Sequence, residues 1–91
     1  MAVVVKIPTQ LRAATGGDAE AEVAGGTVRE VLDGLFERYD DLRERIYDDG
    51  NLRRFVNVYV DGEDIRFLSG LDTEVAEGGE VTILPAVAGG A

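Results

Sequence analysis

Ninety-one residues with a formal net charge of −9, no cysteine and no histidine make one modest domain and exclude disulfides, thiolate metal sites and imidazole catalysis. So acidic a chain repels phosphate, which argues against nucleic acid or an anionic membrane as a partner. No apolar run reaches the roughly 20 residues of a membrane span and no signal-peptide pattern follows Met1, so a cytoplasmic location is expected.

Ala2 to Pro8 is rich in β-branched residues and predicts a first strand. Val3, Val5 and Ile7 fall on one face, Val4 and Lys6 on the other. Leu11 is expected beneath the sheet, and Thr15-Gly16-Gly17-Asp18 marks a turn. Ala19 to Val23 alternates small apolar residues with glutamate, the pattern of a half-exposed strand that pairs with the first as a hairpin. After Gly25-Gly26, Thr27-Val28-Arg29-Glu30 has the form of a capping box. Val28, Val31, Leu32, Leu35, Phe36 and Tyr39 then recur at helical spacing and predict the main helix. Gly34 costs that helix about 1 kcal/mol relative to alanine, which points to close contact with the sheet.

Asp40 to Tyr47 predicts a short second helix anchored by Leu42 and Ile46. Asp48-Asp49-Gly50-Asn51 reads as an acidic loop without the spacing or distal glutamate of an EF-hand, so no metal site is expected. Arg53 to Val60 is the second strong strand, with Val56, Val58 and Val60 toward the helix. Phe55 and Tyr59 then face away from it and, with Phe67, offer an aromatic docking patch. Asp61-Gly62 is a tight turn, and Asp64 to Phe67 a brief edge strand. Leu68 to Asp72 connects, with Leu71 in the core, and Thr73 to Glu80 turns into a last strand beginning at Val81. The acidic stretch from Asp61 to Glu80, which includes Asp64, predicts a solvated face that would also steer a basic partner.

This order of elements predicts an α+β fold, a mixed sheet of four to five strands packed on one main helix. First and last strands would lie parallel at its centre, an arrangement that resembles the ubiquitin-like β-grasp. Residues 1–86 would form the domain and 87–91 a C-terminal tail. Three of the four Gly-Gly pairs fall between elements and are turns; none precedes the Lys-Ser/Thr of a phosphate-binding loop. The fourth, Gly89-Gly90, follows Leu84-Pro85-Ala86-Val87-Ala88 and precedes only Ala91. Pro85 lacks an amide hydrogen, so the ladder should stop there or continue only at an edge. The small residues after it suit a channel too narrow for larger side chains.

That ending resembles the ThiS/MoaD ubiquitin-like sulfur-carrier proteins. So do the Val3-to-Pro8 strand, the Thr27 helix and the run Arg54-Phe55-Val56-Asn57-Val58-Tyr59-Val60. The run and the tail are most similar to the actinobacterial CysO type, which serves cysteine synthesis. The resemblance implies a carrier and not an enzyme, with no catalytic residue of its own. Gly90 would hold an adenylate and then a thiocarboxylate that donates sulfur toward cysteine or another sulfur-containing metabolite, and Pro85, Ala86, Val87, Ala88 and Gly89 would be recognised as the tail. It implies as partners an E1-like MoeB/ThiF-type adenylyltransferase and a sulfur-accepting synthase, a pyridoxal-phosphate-dependent cysteine synthase in the CysO type. ATP, any metal and pyridoxal phosphate would belong to those enzymes, and this chain would bind no cofactor. Ala91 departs from the family's Gly-Gly ending: either a peptidase removes it, or it is not part of the natural chain. Two other functions fit the same residues: a modifier joined through Gly90 to lysines of target proteins, and a plain binding module.

Overall fold

A computed structural model describes residues 2–48, 50–53 and 56–85 of the chain. Strand β1, Ala2–Lys6, has the expected alternation, with Val3 and Val5 fully buried. A 3-10 helix, Thr9–Thr15, follows and brings Leu11 and Thr15 into the interior. Strand β2, Glu20–Ala24, returns antiparallel to β1, with Val5 opposite Ala21 and Lys6 opposite Glu20. Strand β3, Gly26–Thr27, then leads directly into helix α1, Val28–Arg38.

The capping box at the start of α1 is complete. The Glu30 amide donates to the Thr27 hydroxyl at 3.2 Å, and the Thr27 amide donates to the Glu30 carboxylate at 2.9 Å. Val28, Val31, Leu32, Leu35 and Phe36 form the buried stripe, and Tyr39 packs against it half-buried. Gly34 does not mark the close approach expected of it. A Cβ there would lie 3.7 Å from the Val23 Cβ, an ordinary contact. Arg38 Nη1 donates to the Glu22 carbonyl at 2.8 Å and fastens the end of α1 to β2.

Helix α2, Asp40–Ile46, buries Leu42 and Ile46 as expected. The acidic loop after it is part of a small hairpin, in which β4, Tyr47–Asp48, pairs with β5, Asn51–Leu52. Asp49 lies outside the described residues. Strand β6, Val56–Val60, turns its three valines inward and leaves Asn57 and Tyr59 half-buried on the other face. The turn at Asp61-Gly62 has positive φ at both residues, 49° and 89°, as a tight two-residue hairpin requires. Strand β7 covers only Glu63–Asp64. The expected edge strand stops there because Asp64 accepts the Arg66 amide at 2.8 Å and caps a 3-10 helix, Ile65–Phe67. A further 3-10 turn, Gly70–Asp72, leaves Leu71 partly buried against the core. Strand β8, Glu74–Val75, pairs with β3, and β9 runs from Glu80 to Pro85.

The main sheet has the order β2-β1-β9-β6-β7. Strands β1 and β9 are parallel and adjacent, and β6 flanks β9 antiparallel. One face of the sheet packs its valines and Ile83 against α1, and the other is open. This is the five-stranded form of the β-grasp expected from the element order.

Candidate functional site

Everything distinctive converges on β9. Val81 and Ile83 point inward at 0% and 1% exposure, so the pleat turns Thr82 and Leu84 outward. On one side β1 pairs with β9 only as far as Thr82, opposite Lys6. On the other, β6 pairs through to Pro85, opposite Val56. At Pro85 the central strand thus has a strand neighbour on one side alone. The missing amide hydrogen falls where the strand has in effect become an edge, which is where proline is tolerated. Strand β9 therefore ends at Pro85 in the middle of the sheet.

Of the expected tail residues, Pro85 is the last described; Ala86, Val87, Ala88, Gly89 and Gly90 lie outside the described residues, as do the 86/87 boundary and Phe55. Tyr59 sits half-buried on the open face, opposite Thr82 of β9 and Asp64 of β7. Phe67 ends the 3-10 helix at 84% exposure. Leu84 joins them at 46% exposure. Sequence reasoning placed Leu84 in the tail strand without assigning it to docking. The signal was the alternation along β9, since inward Val81 and Ile83 force Leu84 outward. Tyr59 on β6 and Leu84 on β9 thus share the open face, and Phe67 is exposed beyond β7, at the edge of the same sheet.

Between β6 and the 3-10 helix that follows β7 lies a groove of about 250 Å³ whose lining includes Arg53, Asn57, Asp64 and Arg66. Arg53 Nε donates to the Glu44 carbonyl at 2.6 Å. Arg66 grips Asp64, with Nη2 at 2.7 Å and Nε at 3.2 Å from its carboxylate. The Arg66 guanidinium, with the Arg66 amide second, holds the Asp64 carboxyl below its ordinary range. Asp64 is thus a buried capping residue and not part of a solvated acidic face; its side chain is 8% exposed.

A larger groove, about 450 Å³, lies at the start of α1 among Gly26, Thr27, Glu30 and Glu74. Thr27 and Glu30 are spent on the capping box there. Among the described residues no group of three or more potential ligands could hold a metal ion. No described helix is long and apolar enough to cross a membrane.

The chain matches the ThiS family over residues 5–90. It is 50% identical over 93 aligned residues to the sulfur carrier protein CysO of Mycobacterium tuberculosis, covering 99% of this chain and all of that one. A chain of the crystal structure of the Amycolatopsis orientalis BexX/CysO complex superposes with a TM-score of 0.90 at 48% identity, covering 96% of this chain and 98% of that one. The small archaeal modifier protein 1 of Methanosarcina acetivorans superposes at 0.87 with 34% identity, covering 97% and 95%. With the family match over residues 5–90 and half of the residues identical along nearly the whole chain, the chain belongs to the ThiS family, whose sulfur-carrier members are small carriers and not catalysts.

Proposed function

We propose that the chain carries sulfur as a thiocarboxylate on Gly90, formed after Ala91 is removed, and delivers it to an acceptor enzyme of cysteine synthesis. The observation that carries this reading is where the family match stops. It ends at residue 90, leaving Ala91 outside. A carboxylate is a poor electrophile, and joining it to AMP supplies a leaving group. The Gly90 carboxylate attacks the α-phosphorus of ATP and pyrophosphate departs. A sulfur nucleophile then attacks the glycyl carbonyl and AMP departs. The positioned groups for both steps belong to an E1-like adenylyltransferase of the MoeB/ThiF type, and pyridoxal phosphate to the acceptor synthase. This chain contributes a rigid body and a tail rooted in its central strand. Tyr59, Phe67 and Leu84, with Phe55, form the docking face, and the place of work is the cytoplasm.

The test is intact-mass analysis after incubation with a ThiF-type enzyme, ATP and a sulfur source. The chain ending at Gly90 should exchange one oxygen for sulfur, and the 91-residue chain should not. Conversion of the intact chain would overturn the role given to Gly90. A second reading, a modifier joined to target lysines, draws support from the likeness to the small archaeal modifier protein 1. Lysine conjugates in cell extracts, without thiocarboxylate, would select it.

A further inference from the structure

The nine cationic side chains of this protein are eight arginines and a single lysine, Lys6, although lysine is ordinarily among the commonest residues. Guanidinium groups stay protonated at any working pH and do not act as acyl acceptors, whereas a neutral lysine amine does. There is no cysteine, and unactivated hydroxyls are weak nucleophiles. Lys6 is thus the sole side chain able to capture an activated acyl group without assistance.

Its placement bears on that chemistry. Lys6 lies opposite Thr82 of β9, three residues before the strand ends at Pro85, or on the order of 10 Å of strand. The one side-chain amine therefore stands toward the end of the sheet at which β9 finishes. Lys6 is also enclosed by acid on both neighbouring strands. Its Nζ donates to the Glu20 carboxylate of β2 and lies 3.9 Å from that of Glu80 on β9. The bond to Glu20, then its charge, raises the ammonium above its ordinary value, with Glu80 adding to the effect. Removing the proton would leave two carboxylates facing a neutral amine.

We propose that the side chains of this protein are set against accepting its own activated C-terminus: all the cationic ones but one are guanidinium groups, and the one lysine is paired with Glu20 and flanked by Glu80. The reaction so prevented is aminolysis. The Nζ lone pair would attack the Gly90 carbonyl carbon and an amide C–N bond would form. The bond to the leaving group would break with its electron pair, and the Nζ proton would pass to solvent. Cyclised or lysine-linked chains would result, and the activated acyl group would be lost to sulfur transfer. This inference rests on the activation of Gly90 proposed above and names which acceptors that activated group must avoid.

The experiment supplies the electrophile without the enzyme. Residues 1–90 are prepared as a Gly90 thioester, and self-ligated product is followed by intact mass and peptide mapping. The wild-type thioester should hydrolyse or exchange with added thiol and give little Lys6 linkage. In the Glu20→Gln/Glu80→Gln variant, Lys6-linked product should rise several-fold and vanish again when Lys6→Arg is added. A variant with Arg29→Lys, Arg43→Lys and Arg45→Lys, all exposed positions, should link at its new lysines. Equal linkage at Lys6 with and without the two glutamates would overturn the clamp. No linkage at the three new lysines would show the arginine preference to be compositional only. If a ThiF-type enzyme failed to adenylate Gly90, the functional reading would fall while the thioester comparison kept its meaning.

Discussion

Tyr47 is buried to 9% exposure, and its ring meets Phe36 edge-on with centroids 4.9 Å apart. Its hydroxyl is buried and has no hydrogen-bond partner among the described residues. Burial, then the nearby Asp33 carboxylate, holds that hydroxyl above its ordinary pKa, against Arg29 and Arg43. A buried donor left unpaired costs about 1–3 kcal/mol, and deleting it while keeping the ring recovers part of that. Tyr47→Phe should therefore leave the fold intact and raise stability by about 1 kcal/mol in urea melts; a loss of similar size would mean the hydroxyl is satisfied. Asp64 gives the opposite case, a charged group fully engaged. Its carboxyl is held low by Arg66, so on acidification the unfolded chain takes up the proton first. The stability it contributes is present above an ordinary carboxylate value of about 3.9 and is lost as pH falls through the lower folded value. Asp64→Asn should accordingly flatten the fall in stability below about pH 4. The sequence disclosed Asp64 as an acid but not as a cap. Its bonds go to Arg66 two residues away, inside a turn that the acidic run around it disguised.

Elements with their own periodicity or caps are legible in the sequence. Strands β1, β2, β6 and β9 show alternation, and α1 shows both its stripe and its capping box. What escaped has no local signature. Strands β3 and β8 are two residues each and exist because Gly26 meets Val75 and Thr27 meets Glu74 across the fold. The 3-10 helix at Thr9–Thr15 lacks an amphipathic repeat, and only Leu11 gives it away. The β4–β5 hairpin hides in an acidic loop because two paired residues cannot show a period. Glycine shows the same division between local and tertiary causes. At Gly34 an added methyl group meets Val23 at ordinary contact distance. At Gly26 φ is +141° and a Cβ would strike the Glu30 carboxylate that completes the capping box. Gly34→Ala should stabilise by about 1 kcal/mol through helix propensity, and Gly26→Ala should destabilise by about 1–3 kcal/mol through strain and loss of the cap. Thermal melts of the two single variants would check the opposite signs.

For the molecule as a whole, the proposed function gives a net charge of −9 and the exposed Phe67 and Leu84 separate parts in recognition. Charge governs the rate of encounter with a basic partner, and apolar contact governs how long the complex lasts. Leu84→Asp and Phe67→Asp should each weaken binding to the activating enzyme about tenfold or more, chiefly through faster dissociation. Neither should change stability by more than about 0.5 kcal/mol, since both side chains already face solvent. Surface-plasmon measurements in rising salt should show the association rate falling while the effect of these substitutions on dissociation persists. At the candidate site, alternation along the last strand and the proline that ends it are legible in the sequence, while residues 86–90 lie outside the described residues. Leu84 was missed because outward orientation becomes visible only once its neighbours' burial is known. The parallel pairing of β1 with β9 also bears on biosynthesis. Residues 80–85 leave the ribosome after every other strand of the sheet, yet they fill the gap between β1 and β6. Until they emerge, both strands keep bare edges and the sheet cannot close. A chain halted before Glu80 would therefore hold every other strand of the sheet and still lack the one that joins its two halves.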